Sequence, residues 1–341
     1  MNPEIELDGQ IGGGSVIRVG IPLALALGKS LYITNVRQNR KRRGLQEQHL
    51  AGLELLQKIT GAAYVGDHLG SLELFVDPGS YAFNPLELPT VSIPSSGAVS
   101  LVYQTLTNYC FAARKPAGFE FLGGGSHVQF SPNFDVLTHV NTPLFEKFGL
   151  KAAIQLEKPG FYPQGGAKGR ILLQPVEFDQ IRLEEGEMEE LVVIAVAAES
   201  YRSEQIAEKM IQGFKENAHP TSEFAGYAPS DSKGAAISAI LKYDTGIAKA
   251  IARVFQGSRD PIDLGRTTAK AAKKIAYTGA AVDEQLADQL IVPLAFAPKG
   301  SSYTFDRMYP HVSTNIAVVQ QILGEVFNLE QLDSGYRITR Q

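Results

Sequence analysis

Hydrophobic and polar positions follow a pattern along this chain that returns three times. Three stretches pass from a Gly/Ser-rich loop into an apolar, helix-like run: "GQIGGGSVIRVGIPLALALG", "PSSGAVSLVYQTLTNYCFA" and "TGAAVDEQLADQLIVPLAFA". Each is followed, roughly 32 to 35 residues later, by a second helical pattern: "RGLQEQHLAGLELLQKITGA", "SPNFDVLTHVNTPLFEKFGL" and "YPHVSTNIAVVQQILGEVF". In the first of these Leu50, Leu53, Leu56 and Ile59 recur every third residue, near one helical face. Alternating, β-rich segments lie around the helices: "SLYITNV", "SLELFVDPG", "FEFLGGG", "GRILLQPV" and "GYRITRQ". The spacing predicts an α/β (α+β) fold made of three units of about 85 residues, each with two helices on a small sheet.

The first two units are spaced by about 85 to 90 residues, the second and third by about 180. The excess predicts an insertion over residues 182–276, which leaves 1–181 and 277–341 as the core. The insert opens with the acidic "RLEEGEMEELVV". It has its own strands ("LVVIAVAAES", "AAISAILKYDT") and helices ("RSEQIAEKMIQGFKE", "LGRTTAKAAKKIAY").

Composition narrows the classes. With 341 residues, 44% of them hydrophobic, the chain buries at least one large core. It has no apolar run of about 20 residues, so no membrane span is expected. The start "MNPEIELDGQ" is polar and acidic, unlike a signal peptide. The single cysteine, Cys110, excludes an intramolecular disulfide and a cysteine-based zinc site. A reducing, cytoplasmic setting is expected. The net charge of −4 gives no global attraction to nucleic acid, although a local patch suffices to bind phosphate.

Several segments carry candidate chemistry. In "IGGGSVIR", Gly12, Gly13 and Gly14 precede a helix start, where backbone amides can approach a phosphate. The bland alternative is a tight strand-to-helix turn. Arg18 lies one turn into that helix, and Pro22 is expected to kink or shorten it. "RQNRKRRGLQEQHL" gathers Arg37, Arg40, Lys41, Arg42 and Arg43 within seven residues, either a solvated surface or a polyphosphate cradle. Gln48 and His49 follow, His49 reading as a structural hydrogen-bonding residue. Gln104 lies on an otherwise apolar helix and needs a partner. Pro132 and Asp135 sit at the start of the next helical pattern, where Asp135 suits the helix dipole. Asp288 and Gln289 lie on an apolar helix, and an aspartate there is costly unless paired or metal-bound. Finally, "DRMYPHVSTNIAVVQQ" sets His311 at a helix mouth, as a helix-end residue or as a nucleophile.

Taken together, "GGGSVIR", "RGLQEQHL", "SSGAVSLVYQT", "GFYPQGGA", "DEQLADQLIVPLA" and "HVSTNIAVVQQ" resemble the RNA 3′-terminal phosphate cyclase family. "LADQL", followed by about twenty residues and H-x-x-T-x-I, is the most specific part. The resemblance implies three units like the C-terminal domain of translation initiation factor 3, with a smaller α/β domain inserted before the third. It implies ATP as cofactor with a divalent metal, magnesium or manganese, and an RNA with a 3′-phosphate end as partner. It implies that His311 is adenylylated, that AMP passes to the RNA 3′-phosphate as RNA–ppA, and that the 2′-OH closes a 2′,3′-cyclic phosphate. By resemblance Gln104, Pro132, Gln285, Leu286, Ala287, Asp288 and Gln289 line the ATP site. Pro132 would pack on adenine, and Asp288 would sit near ribose, phosphates or metal. Arg18, Arg37, Arg40, Arg43 and Gln48 are the candidates for phosphate or RNA contacts. Two departures stand out. Ile11 occupies the place of a family glutamate, in a loop two residues shorter, and Gln285 occupies that of an adenine-stacking aromatic. The alternative expectation is a non-catalytic or divergent RNA-binding, RNA-processing member of the same superfamily.

Overall fold

Short apolar runs of this chain pair into four mixed sheets of four strands each. The structure, a computed structural model, describes residues 3–255 and 257–341. In chain order the first segment comprises β1 (Ile5–Asp8), α1 (Gly14–Ala26), β2 (Leu31–Thr34), α2 (Glu47–Thr60), β3 (Ala63–Val65) and β4 (Leu74–Asp77). The second comprises β5 (Thr90–Ala98), α3 (Val99–Ala113), β6 (Ala117–Gly125), α4 (Phe134–Val136), α5 (Thr142–Lys147), β7 (Leu150–Lys158) and β8 (Lys168–Pro175). After β9 (Arg182–Leu183) come β10 (Met188–Ala198), α6 (Ile206–Lys215), β11 (Ser222–Ala228), β12 (Ala235–Tyr243), β13 (Ala248–Phe255) and α7 (Pro261–Ala276). The chain closes with α8 (Glu284–Gln289), α9 (Ile291–Ala295), β14 (Ser302–Phe305), α10 (Pro310–Leu323), β15 (Phe327–Gln331) and β16 (Tyr336–Arg340).

Three sheets run in the orders β1-β2-β4-β3, β5-β6-β8-β7 and β9-β14-β16-β15. In each, the first pair is parallel and the next two are antiparallel. The fourth, β11-β10-β12-β13, has the same parallel-then-antiparallel pattern but a different strand order: its edge strand β11 follows β10 in the chain, and β12 and β13 run on in sequence. Arg182 and Leu183 pair with Ser302 and Tyr303 of β14, so the strand β9 belongs to the third of these sheets.

The helix α1 is apolar on nearly all sides because it packs between α3 and α10. Pro22 does not shorten it, and the helix runs on to Ala26. A proline lacks the N–H that would bond the carbonyl four residues back, here that of Arg18. The Asn108 side-chain amide donates to the Arg18 carbonyl at 2.8 Å, replacing the lost bond from the neighbouring helix. The other helical patterns are more broken than their periodicity predicts. The long pattern "SPNFDVLTHVNTPLFEKFGL" divides into α4, a π-helical turn (Leu137–Asn141) and α5. The apolar run "DEQLADQLIVPLAFA" divides at Leu290 into α8 and α9.

α6 and α7 cover one face of the fourth sheet. Gly213 lies against the Ile262 carbonyl and Gly265 against that of Met210, so a Cβ at either position would collide with backbone. A buried lysine ties this sheet to the segments that lead into and out of it. Lys249 pairs with Glu185 and donates to Thr278 Oγ1 at 3.0 Å and the Ile275 carbonyl at 3.2 Å. Breaking such a pair leaves a carboxylate without its partner. Glu185 keeps the Thr278 and Gly279 amides and some solvent, which reduces the penalty. Lys249→Met is expected to lower stability by about 2 kcal/mol. Adding Glu185→Gln should recover part of the loss in a denaturant titration. No recovery would mean that packing, not charge, sets the cost.

Candidate active site

The site forms where two helix N-termini meet across a glycine loop. Residues 9–13 carry the chain from β1 to α1, and Gly13 takes the N-cap position without a side chain to bond the free amides. Uncapped amides at a helix start are donors for an anion. Close neighbours leave no room for side chains here. A Cβ on Gly12 would strike Thr314, one on Gly13 would come within 2.9 Å of Arg40 Nη2, and one on Gly14 within 2.7 Å of His49 Nε2.

α10 enters from the other side. Pro310 opens it at a position that needs no N–H, and His311 follows. His311 Nδ1 lies 2.7 Å from Ser15 Oγ on α1, and Thr314 Oγ1 donates to the Ile11 carbonyl at 2.9 Å. When Nδ1–H donates to Ser15, the Nε2 lone pair is free. The His311 pKa is lowered below 6.5, first by burial and then by Arg18 and Arg40. The imidazole is therefore neutral near pH 7, the state in which it is a nucleophile.

Cations surround this histidine. Arg18 Nε donates to Gln104 Oε1 at 2.8 Å, which gives the buried glutamine its partner. Burial lowers the Arg18 pKa to about 10, so it remains charged at neutral pH. Arg37, at φ 54°, is half-buried, and burial followed by the Arg40 charge lowers its pKa. His49 Nδ1 accepts the Gln46 amide at 2.9 Å, while Nε2 has no bonding partner and faces Gly14. Its pKa lies well below 6.5, by burial and then by Arg18 and Arg37.

α8 supplies the carboxylates. Asp283 caps it, accepting the Gln285 and Leu286 amides at 2.9 and 2.8 Å. Burial raises the Asp288 pKa to about 7, against the pull of Arg18 and with a push from Asp283. The Asn315 amide donates to the Asp288 carbonyl at 2.8 Å and joins α8 to α10. Beside α8, a small cavity of about 80 Å³ is lined by Pro132, Gln285, Leu286 and Gln289, among others. Asn141 holds Gln289 there at 2.7 Å. Among the described residues, no three of His, Cys, Asp and Glu gather into a metal-holding group.

Comparison with known proteins decides the family. The family model described as "RNA 3'-terminal phosphate cyclase" matches residues 10–329. A protein of that name from Nostoc punctiforme is 33% identical, the match covering 93% of each chain. One from Koribacter versatilis is 30% identical over 96% of this chain and 91% of its own. One from Methanosarcina mazei is 29% identical over 98% and 99%. The chain belongs to the RNA 3′-terminal phosphate cyclase family.

Most of the residues singled out by resemblance to this family fall into two groups in space. Arg18, Gln104, Arg40 and His311 gather at the glycine loop, with Asp288 close enough for its charge to be felt at Arg18. Pro132, Gln285, Leu286 and Gln289 gather at the small cavity. Ala287 is fully buried, and its carbonyl accepts the Tyr303 hydroxyl at 2.8 Å. Arg43 is exposed and enters its loop through its carbonyl, which accepts from Gln46. Gln48 lines a separate, larger groove. Asp135 does more than suit a helix dipole: it lies 3.4 Å from His127 Nε2 and accepts from Ser238 of β12 at 3.0 Å. Among the described residues, no helix is long and apolar enough to cross a membrane. Sequence reading missed Ser15 as the partner of His311, since 296 positions separate the two. The only signal for it was its place directly after the glycines.

Proposed function

We propose that this protein converts an RNA 3′-phosphate to a 2′,3′-cyclic phosphate at the expense of ATP, with His311 as the nucleophile. The observation that carries the reading is the Ser15–His311 contact, which, when Nδ1 carries the ring proton, frees the Nε2 lone pair beside an uncapped helix start and two arginines. Nε2 forms a bond to the α-phosphorus of ATP as the bond to the β-phosphate oxygen breaks and pyrophosphate leaves. The RNA 3′-phosphate oxygen then takes AMP from the histidine, giving RNA–ppA. The 2′-OH loses its proton as its oxygen attacks the phosphorus bound to the RNA 3′ oxygen, the bond from that phosphorus to the bridging oxygen breaks, AMP leaves, and the 2′,3′-cyclic phosphate remains. Arg18, Arg37 and Arg40 bear the charge that develops on the phosphates, and the α1 amides add donors. Pro132, Gln285, Leu286 and Gln289 offer the adenine a face without an aromatic ring. Arg43 and Gln48 are assigned to the RNA. The three sheets of like order are read as three copies of one unit resembling the C-terminal domain of translation initiation factor 3. Residues 182–276 are read as the domain inserted before the third, apart from β9 (Arg182–Leu183), which pairs with the third sheet. A cytoplasmic setting suits the buried free thiol of Cys110.

The non-catalytic RNA-binding reading fits less well, because it gives no reason for a depressed, serine-held imidazole among arginines. The test is incubation with α-labelled ATP and magnesium or manganese, followed by denaturing electrophoresis. Label on the protein, stable to base and labile to acid, is the expected result. Protein that takes up no label overturns the reading. The pH dependence adds a check. His311 must be neutral to attack, so labelling should fall as pH drops, with a midpoint below 6.5. A midpoint above 6.5 would contradict the environment assigned to this ring.

The side chains near the site do not by themselves build a metal centre. Ile11 is apolar and 44% exposed, and Asp288 is the carboxylate at hand. We therefore assign any divalent ion mainly to the ATP phosphates, as is common for magnesium. Calorimetric titration of the ATP-free protein with magnesium or manganese should show no saturable binding at micromolar metal. Saturable binding there would reveal a carboxylate in the place of the family glutamate.

A further inference from the structure

A cavity of about 710 Å³ lies outside the histidine centre, between the second sheet's loops and the fourth sheet. Its mouth carries two exposed rings. Phe130 is 99% exposed and Tyr162 is 72% exposed. Phe130 also sits at φ 64°, in the left-handed region, where a bulky residue is strained. A strained backbone that presents an aromatic ring wholly to solvent gains nothing for folding, and such outliers cluster at binding sites. A second cavity of about 270 Å³ shares Phe130 and Ser131 with the first. Lys233 lines the larger cavity and Arg253 and Arg259 the smaller, while among the described residues no carboxylate lines either. On the side of the histidine centre, Gln48 of α2 lines the groove, and the next residue of that helix, His49, faces Gly14.

Open rings with cations and no acidic side chains suit one class of ligand. Single-stranded nucleic acid binds by stacking bases on aromatic rings while basic groups follow its phosphates. An apolar peptide would leave these cations unused. We propose that this groove holds the nucleotides upstream of the RNA 3′ end, with bases stacked on Phe130 and Tyr162 and the strand's phosphates on Lys233, Arg253 and Arg259. The inference rests on the proposed function, since it needs RNA as the substrate. It predicts that a substrate of several nucleotides binds better than one too short to reach the rings.

The test uses the full chain and a single-stranded RNA of about eight nucleotides ending in a 3′-hydroxyl, which binds without reacting. Affinity is read by fluorescence anisotropy. Phe130→Ala and Tyr162→Ala should each weaken binding about tenfold or more, and Phe130→Trp should restore it. Both rings are exposed, so unchanged melting curves are expected for the variants. Arg259→Gln should reduce the salt dependence of binding. RNA carrying 5-iodouridine upstream of its end should crosslink to Phe130 or Tyr162, as read by mass spectrometry. Unchanged affinity in the double alanine variant, or crosslinks only elsewhere, overturns the proposal. Labelling of the wild-type histidine by ATP is measured separately. A protein that labels, yet ignores loss of the two rings, disproves the groove and leaves the cyclase reading standing. One that does not label removes the cyclase reading first.

Discussion

His311→Ala is expected to abolish protein labelling from ATP, a loss of at least about 10⁴-fold, because the nucleophile itself is gone. The fold should survive. Pro310 still opens α10, Ser313 Oγ bonds the Pro310 carbonyl, Thr314 holds the Ile11 carbonyl and Asn315 the Asp288 carbonyl. The main structural cost is the Ser15 hydroxyl, buried and deprived of its partner, worth about 1 kcal/mol. Thermal melting of the variant beside wild type separates a folding loss from a chemical one. If the alanine variant still labels, His311 is not the nucleophile. His49 would not replace it: its Nδ1 accepts the Gln46 amide, so the neutral ring carries its proton on Nε2, which then has no lone pair for attack.

Much of the architecture was legible because it depends on local pattern. The strands around "SLYITNV", "FEFLGGG" and "GRILLQPV" appear as β2, β6 and β8, and the helical patterns of α1, α2, α3 and α10 fall where the periodicity places them. The failures are tertiary. "PSSGA" reads as a loop from its composition, yet its residues extend β5 as far as Ala98, with Ser95 at φ 52°. Pro22 argues locally for a shortened helix, and a side chain on another helix, Asn108, supplies the bond that lets it continue. At the site, residue types announced themselves: a glycine triplet, an arginine cluster, a glutamine and an aspartate on apolar helices. Their pairing did not. Whether Gln104 meets Arg18, or Ser15 meets His311, depends on how α1, α3 and α10 pack, and no short-range signal encodes that. Phe130 and Tyr162 escaped notice for the opposite reason. An aromatic in a sequence reads as core, and only its exposure in the fold marks it as available.

Arg18→Ala should reduce labelling by roughly 10² to 10³-fold, the usual cost of removing one stabiliser of developing charge. It should also move the pH profile, which a purely structural role would not do. The Arg18 charge disfavours a proton on His311 and favours the ionised form of Asp288. Without it the His311 pKa rises, so the acid limb of labelling shifts to higher pH. The Asp288 pKa, already raised to about 7 by burial, rises further. At neutral pH more of that carboxyl is then protonated and unable to hold a cation. Both shifts have the same sign: the variant loses activity at a pH where wild type keeps it, and recovers part of it on alkaline titration. Arg18→Lys separates charge from geometry. A lysine restores the positive field at His311 but not the planar donor that meets Gln104 at 2.8 Å. Its acid limb should return towards the wild-type position while its rate stays low. If the acid limb of Arg18→Ala coincides with wild type, the Arg18 charge is not felt at the nucleophile, and its role reduces to holding Gln104.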